Sequence, residues 1–317
     1  MVHAFGPHTF HTNNQKTWEY VNRFATFQPS TSTVKAFYQG RFFSFPINLM
    51  TLHQLWGVNT PEEARQLLES KREKIDSPTN LEDYYLSTIG RELYSIFIEG
   101  YTIKQWKTSP RNIDVSVARR LPIRLTFDDC YYHDKYIGIP QEGYTQMMKT
   151  MLRGIELRLA TPFDHEMKSL AEKVIYTGRI DQYHNLRLGL LPYRCTEFHH
   201  ETVLSNYFQG CAVVNYPDIN VEFTRITEHK HLGKTDNHSS TIITYEYPSV
   251  WTGNETPLYP SVTKEDRELY QRYTSLPREN VVFGGRLGSY SYMDMNIVIE
   301  KAFELVEHEL SNHIALQ

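Results

Sequence analysis

Two periodicities alternate along this chain, and few folds can hold both. The run KAFYQGRFFSF places Gln39-Gly40 between two aromatic-rich segments. It predicts a hairpin over 34–45, with the glycine supplying the turn geometry and Pro46 ending the second strand. From about residue 50 to 110 the pattern is helical instead. Thr60 can cap a helix, Pro61 suits its first position, and Glu63 can complete a capping box. A second helix is expected over 80–99, with Tyr85, Ile89, Leu93, Ile96 and Phe97 on one face and Gly100 as its C-cap. Strand signals return over 120–139 and then over 179–260, where CAVVNY, NVEFTRITEH and STIITYEY predict neighbouring antiparallel strands. A helical unit is thus set between strand-forming segments, which defines a mixed α/β chain.

The ends carry shorter signals. A helix is expected over 17–27, another over 144–153, and strands at IELRLA (155–160) and KVIYTG (173–178). The last forty residues predict a strand, VVF, then Gly284-Gly285 and a long amphipathic helix. Such a junction is where α/β folds place anionic ligands, but the Gly-Gly pair by itself is better explained as a tight turn needing no ligand.

Composition limits the function. Thirty-three Lys and Arg face 37 Asp and Glu, for a net charge of −4, which argues against a sequence-independent nucleic-acid binder. No run of 18 apolar residues predicts a membrane span, and the start MVHAFGPHTF does not read as a secretion signal. Cys130, Cys195 and Cys211 form no CxxC pair, which fits a reducing compartment and gives no zinc signature. His8 and His11, His199 and His200, and His229 and His231 supply no metal-ligand spacing, so no metal is expected. Tyrosine outnumbers phenylalanine, 22 to 16, and both aromatic packing and a ligand pocket would use that excess. Arg120, Arg124, Arg194, Arg225 and Arg286 recur among these aromatics. Guanidinium forks among tyrosine hydroxyls suit a diphosphate, although any one arginine taken alone is better explained by a surface ion pair. No GxGxxG, Walker or GxSxG motif is present.

Six strings occur in order and span nearly the whole chain: GPHTFHTNN, FPINLMTLHQLWG, EGYTIKQW, RLPIRLTFDDCYYHDKYIGIPQEGYTQM, NVEFTRITEHKH and VVFGGRLGSYSYMDM. Together they resemble the UDP-galactopyranose mutases, flavoproteins that interconvert UDP-galactopyranose and UDP-galactofuranose. The resemblance implies an isomerase with a reduced FAD, whose N5 attacks the anomeric carbon and displaces UDP without net oxidation. It implies a cytoplasmic enzyme of cell-surface polysaccharide biosynthesis. Its partner is UDP-galactose, with a homodimer allowed and no membrane span. By the same resemblance Arg120 and Arg225 bind the diphosphate and carry catalysis. Tyr101, Thr102, Trp106, Tyr131, Arg194, Asn215, Tyr259 and Tyr292 bind substrate. His8, Thr9, Arg286, Met293, Asp294 and Met295 bind the cofactor.

The implied fold has three parts. A discontinuous Rossmann-like FAD domain falls at 1–30, 140–178 and 281–317. A helical domain covers 49–118, and an antiparallel β-sheet domain takes 31–48, 119–139 and 179–280. Family members open with a βαβ unit of roughly fifty residues bearing GxGxxG, and this chain starts after it. The expectation is therefore a FAD domain missing its first βαβ, completed by a separately encoded N-terminal segment or by none. Two alternative functions follow: a non-catalytic remnant that binds UDP only, and a mutase for another UDP-sugar such as UDP-N-acetylgalactosamine.

Overall fold

A computed structural model describes residues 2–30, 33–118, 123–233, 239–261 and 263–315. Its strands are β1 (Phe10–Thr12), β2 (Phe27–Pro29), β3 (Val34–Tyr38), β4 (Arg41–Phe45), β5 (Tyr136–Pro140) and β6 (Val174–Tyr176). They continue as β7 (Tyr193–Val203), β8 (Val213–Asn215), β9 (Arg225–Glu228), β10 (Thr241–Val250), β11 (Tyr259–Pro260) and β12 (Val281–Phe283).

Seven strands form one sheet in the order β11-β7-β10-β9-β8-β3-β4. The hairpin predicted over 34–45 is there, turned by Gln39 and Gly40 at φ 47° and 79°. Two positive φ values in a two-residue loop match the right-handed twist of the flanking strands. The expected antiparallel pairing is corrected at one place. β3 and β8 run parallel, with Ala36 opposite Asn215. A parallel pair needs a long crossover, and the helices between β4 and β8 provide the chain length. A smaller antiparallel sheet has the order β1-β5-β2, and β6 pairs in parallel with β12.

The helical stretch follows its caps. The Thr60 side chain accepts from the Glu63 amide to start the helix Pro61–Lys71. The Asn80 side chain accepts from the Asp83 amide to start Leu81–Leu93. The expected end at Gly100 is corrected. A π-helical turn, Tyr94–Glu99, carries the chain straight into the helix Gly100–Trp106. Gly100 is helical, at φ −66° and ψ −38°. Its missing side chain serves a close approach instead: a Cβ there would lie 2.3 Å from the Pro217 carbonyl oxygen.

Three more expectations change. The helix expected over 17–27 is Gln15–Val21, opened by the Asn14 side chain. Phe27 and its neighbours pair instead with β5, where the Phe27 ring meets Phe10 and Trp18. Of the strand signal over 120–139, the described part forms only β5. IELRLA forms no strand, and Leu159 is 78% exposed. It has the alternation of a strand and no partner edge, and a strand without a ladder leaves its amides to water.

One core joins the two periodicities. Tyr85, Ile89, Leu93, Tyr94 and Phe97 of the helical stretch pack on Phe43, Phe45 and Val213 of the large sheet. A second cluster, with Ile180, Leu191, Tyr193, Trp251, Tyr273 and Tyr290, lies at the β7 and β11 end. Tyrosines here pack by the ring and bond by the hydroxyl: Tyr290 donates to the Pro192 carbonyl at 2.5 Å and Tyr273 to that of Gly189 at 2.5 Å. Among the described residues, no helix is long and apolar enough to cross a membrane.

Candidate functional site

The helix Gly100–Trp106 lies across the ends of β8 and β9, and a cavity opens between them. Tyr101, Thr102, Trp106, Tyr131, Arg194, Asn215, Arg225, Tyr259 and Tyr292 all line it. Phe97, Ile98, Gln105 and Pro217 complete much of its wall. All eight residues expected to bind substrate therefore meet in one place, together with Arg225. Arg120 lies outside the described residues.

Register explains part of the convergence. Asn215 and Arg225 are cross-strand partners on β8 and β9, and Arg225 in turn faces Glu246 on β10. Arg225 Nη2 donates to the Tyr101 hydroxyl at 2.7 Å. Its Nε lies 3.3 Å from Glu246 Oε2. Burial works against the charge on Arg225, but Glu246 and the surrounding tyrosines outweigh it and hold the guanidinium firmly protonated. Burial pushes the Glu246 carboxyl upward while Arg225 pulls it back. The sequence reading missed Gln105 on the cavity wall and, behind it, Glu246, the partner of Arg225. The signal of Glu246 was a lone carboxylate within the otherwise uncharged alternation of STIITYEY.

The opposite wall is aromatic. The Tyr259 and Tyr292 rings stack 12° from parallel at 5.6 Å. The Arg286 guanidinium sits 5.3 Å from the first ring centre and 5.0 Å from the second, and donates to the Leu258 carbonyl at 2.9 Å. Arg286 thus braces the cavity wall from behind. Arg194 Nε donates to the Trp106 carbonyl at 2.8 Å, fixing the end of the helix against β7. Burial raises the pKa of Tyr101, Tyr131 and Tyr259, so these hydroxyls keep their protons and remain donors at neutral pH. The buried Asn215 Oδ1 has no hydrogen-bond partner among the described residues. A buried amide oxygen of that kind is poised to accept from a ligand. Arg124 is corrected out of the site: it is buried and donates to the Cys130 carbonyl at 2.5 Å, bracing a loop.

The residues expected to meet a cofactor do not line that cavity but stand beside it. His8 and Thr9 precede β1, and Met293 and Asp294 lead into the helix Met295–Ala315. Arg286 and Arg225 both depress the His8 pKa, after burial, which is the larger cause. His8 Nδ1 lies 2.8 Å from the Gly6 carbonyl. A carbonyl only accepts, so Nδ1 carries the proton and Nε2 keeps its lone pair. The same logic runs inward. The His8 amide donates to His3 Nδ1 and the His3 amide to His229 Nδ1. His229 Nε2 then donates to Thr244 Oγ1 at 2.6 Å. This chain of bonds pins the 3–8 loop to β10. Burial drives both His3 and His229 down to about 4, so both are neutral at physiological pH. Among the described residues no group of three His, Cys, Asp or Glu side chains could hold a metal ion.

The fold thus sets a cavity between a sheet and a helix end and lines it with two arginines, Arg194 and Arg225, among tyrosines. Residues 96–292 match the model of the family described as UDP-galactopyranose mutase. A probable UDP-galactopyranose mutase of Klebsiella pneumoniae is 39% identical, over 98% of this chain and 83% of the relative. The dTDP-fucopyranose mutase of Escherichia coli is 34% identical, over 98% of this chain and 86% of the relative. The crystal structure of a reduced UDP-galactopyranose mutase superposes with a TM-score of 0.65 at 14% identity, covering 90% of this chain and 80% of that one. A putrescine oxidase redesigned in cofactor binding superposes at 0.54 and 9% identity, over 96% and 87%. The chain belongs to the UDP-galactopyranose mutase family.

Proposed function

We propose that this chain interconverts UDP-galactopyranose and UDP-galactofuranose in the cavity between the helix Gly100–Trp106 and β8–β9, with reduced FAD as cofactor. The observation that carries the reading is the convergence of Tyr101, Thr102, Trp106, Tyr131, Arg194, Asn215, Arg225, Tyr259 and Tyr292 on that one cavity. Departure of a diphosphate builds negative charge, and a fixed guanidinium stabilises it most where water is excluded. Arg225 is so fixed, by Tyr101 on one side and Glu246 on the other. Trp106 offers an aromatic face to the uracil. The tyrosine hydroxyls can donate to phosphate oxygens, and Asn215 Oδ1 can accept from a sugar hydroxyl.

The cofactor side fits a flavin in chemistry. Buried orphan atoms, Arg286 Nε and Asn296 Oδ1, stand on the segment 284–296. They suit a ring edge that both donates and accepts. His8, Thr9, Arg286 and Met293–Met295 would hold it. When bound and reduced, FAD supplies an electron pair to the anomeric carbon and recovers it, so the sugar is isomerised without net oxidation.

The test is a chromatographic assay of the purified protein with dithionite-reduced FAD and UDP-galactofuranose. UDP-galactopyranose should appear. Arg225→Lys, which keeps the charge and loses the fork to Tyr101, should slow turnover by about 10²-fold. Absence of product under reducing conditions, or an Arg225→Lys enzyme of normal rate, would refute the reading. A second reading is favoured by the Escherichia coli relative, whose identity and coverage are close to those of the first. Running dTDP-fucopyranose, and UDP-N-acetylgalactosamine, against UDP-galactose in the same assay decides between the sugars and between the bases.

A further inference from the structure

One buried charge lies just outside the cavity and has no part in the chemistry above. Lys104 is 5% exposed. Its ammonium points into the turn between β8 and β9, where four carbonyl oxygens close on it. They belong to Tyr216 at 2.5 Å, Asp218 at 2.8 Å, Val221 at 2.8 Å and Phe223 at 2.9 Å. An ammonium has three hydrogens and no lone pair, so at least one hydrogen is shared between two carbonyls. This is how a polypeptide surrounds a bound cation, with backbone dipoles in place of carboxylates.

The position of that turn gives the arrangement a purpose. Its two feet are Asn215 and Arg225, cross-strand partners that both line the cavity. The helix that delivers Lys104 also delivers Tyr101, Thr102 and Trp106 to the same cavity. Gly100 presses the same helix against the same turn, with room for no side chain between them. One set of bonds therefore joins the two walls that a ligand would have to bridge.

We propose that Lys104 is a positioning residue of this site, a resident cation that organises the 216–224 turn and so sets Asn215 and Arg225 against Tyr101 for binding of a uridine diphosphate. The inference rests on the reading of the cavity as a nucleotide-sugar site. It distinguishes charge from coordination. Methionine matches the lysine stem in length and removes the charge. Arginine keeps the charge but spreads its donors over a planar fork, which cannot gather four carbonyls round one point.

It also sets a pH limit. Burial lowers the Lys104 pKa to about 8, with Asp218 on the turn opposing and Lys107, just past the helix end, reinforcing the shift. Above that pH the neutral amine has two hydrogens for four acceptors, and the turn loosens. The cavity tyrosines do not titrate there, because burial moves them upward.

The experiment uses the full chain with UDP as probe. Calorimetry at about pH 7 and about pH 9 compares wild type with Lys104→Met and Lys104→Arg. Wild type should lose about tenfold in affinity between the two pH values, and both variants should start about tenfold weaker and stay flat. Amide exchange across 216–224, corrected for intrinsic rate, should show protection in wild type that falls with rising pH and is already lost in both variants. A Lys104→Met protein with wild-type affinity and wild-type protection overturns the proposal. Should that variant not fold, the wild-type pH series decides alone: protection over 216–224 that ignores pH overturns it. If UDP binds nothing while exchange over the turn still tracks Lys104, the positioning role stands and the nucleotide reading falls.

Discussion

Gly100→Ala sets two local rules against each other, and the structure predicts which wins. The backbone at Gly100 is helical, so alanine would be unstrained there and would favour the helix by about 1 kcal/mol. But the new methyl would stand 2.3 Å from the Pro217 carbonyl oxygen and 3.0 Å from the Ile219 amide nitrogen. Carbon and carbonyl oxygen rest no closer than about 3.3 Å, so helix and turn must part by roughly 1 Å. Such overpacking costs about 1–3 kcal/mol. The Tyr101–Arg225 bond, 2.7 Å in the native arrangement, would stretch beyond hydrogen-bonding reach, and a bond to a charged group adds about 1.5–3 kcal/mol. The expected net effect is a loss of about 2 kcal/mol, since the terms share one displacement and do not add in full. Urea unfolding would measure it, and UDP titration should show weakened binding in the same variant. A Gly100→Ala protein that is more stable than wild type and binds UDP normally would mean that helix propensity governs this residue and that the contact between helix and turn is slack.

Two further outcomes follow from the site. His3 and His229, held near 4 in the fold against 6.5 when unfolded, bind protons in the unfolded chain first as pH falls. Stability should therefore drop from about pH 6.5 down to about pH 4, at up to about 1.4 kcal/mol per pH unit for each histidine. Urea melts along that range check it, and His229→Asn should halve the slope, while a flat profile would remove both histidines from the account. Trp106→Ala should weaken UDP by about 1–3 kcal/mol while Trp106→Phe retains most of the affinity, as expected for a stacking face; equal affinity in all three proteins would show that the uracil does not lie on Trp106.

The local chemistry of this fold is readable from the chain. Thr60 and Asn80 cap because their side chains reach amides three residues away, and Gln39-Gly40 turns because two adjacent residues adopt positive φ. Gly100 was misread for a reason of the same kind: a C-cap glycine and a close-approach glycine are one letter, and only the arrival of Pro217, more than a hundred residues later, separates them. IELRLA failed similarly, since alternation predicts a strand but not the edge it would pair with. Of the expected cavity residues, Tyr101, Thr102, Trp106, Tyr131, Arg225 and Tyr292 fall within the strings that carry the resemblance, while Arg194, Asn215 and Tyr259 lie between them. The roles of Glu246 and Lys104 were not legible, because a lone charge in an uncharged run does not say which distant group it meets. Glu246 meets Arg225 across a strand pair, and Lys104 finds its carbonyls on a turn that sequence places in another part of the molecule.

The π-helical turn Tyr94–Glu99 also bears on how this chain can change length. Residues before it, such as Ile89 and Leu93, face the core, and those after it, Tyr101, Thr102, Gln105 and Trp106, face the cavity. Each residue added to or removed from a helix turns everything beyond it by about 100°. Deleting any one residue of 94–99 would convert the turn to a regular α-helix and swing Tyr101 away from Arg225, Thr102 out of the cavity and Lys104 out of its ring of carbonyls in a single step. Surface loops elsewhere can gain or lose residues with local consequences. Here a change of one in residue count would dismantle the whole wall, so insertions and deletions in descendants of this sequence should avoid this turn even where substitutions do not.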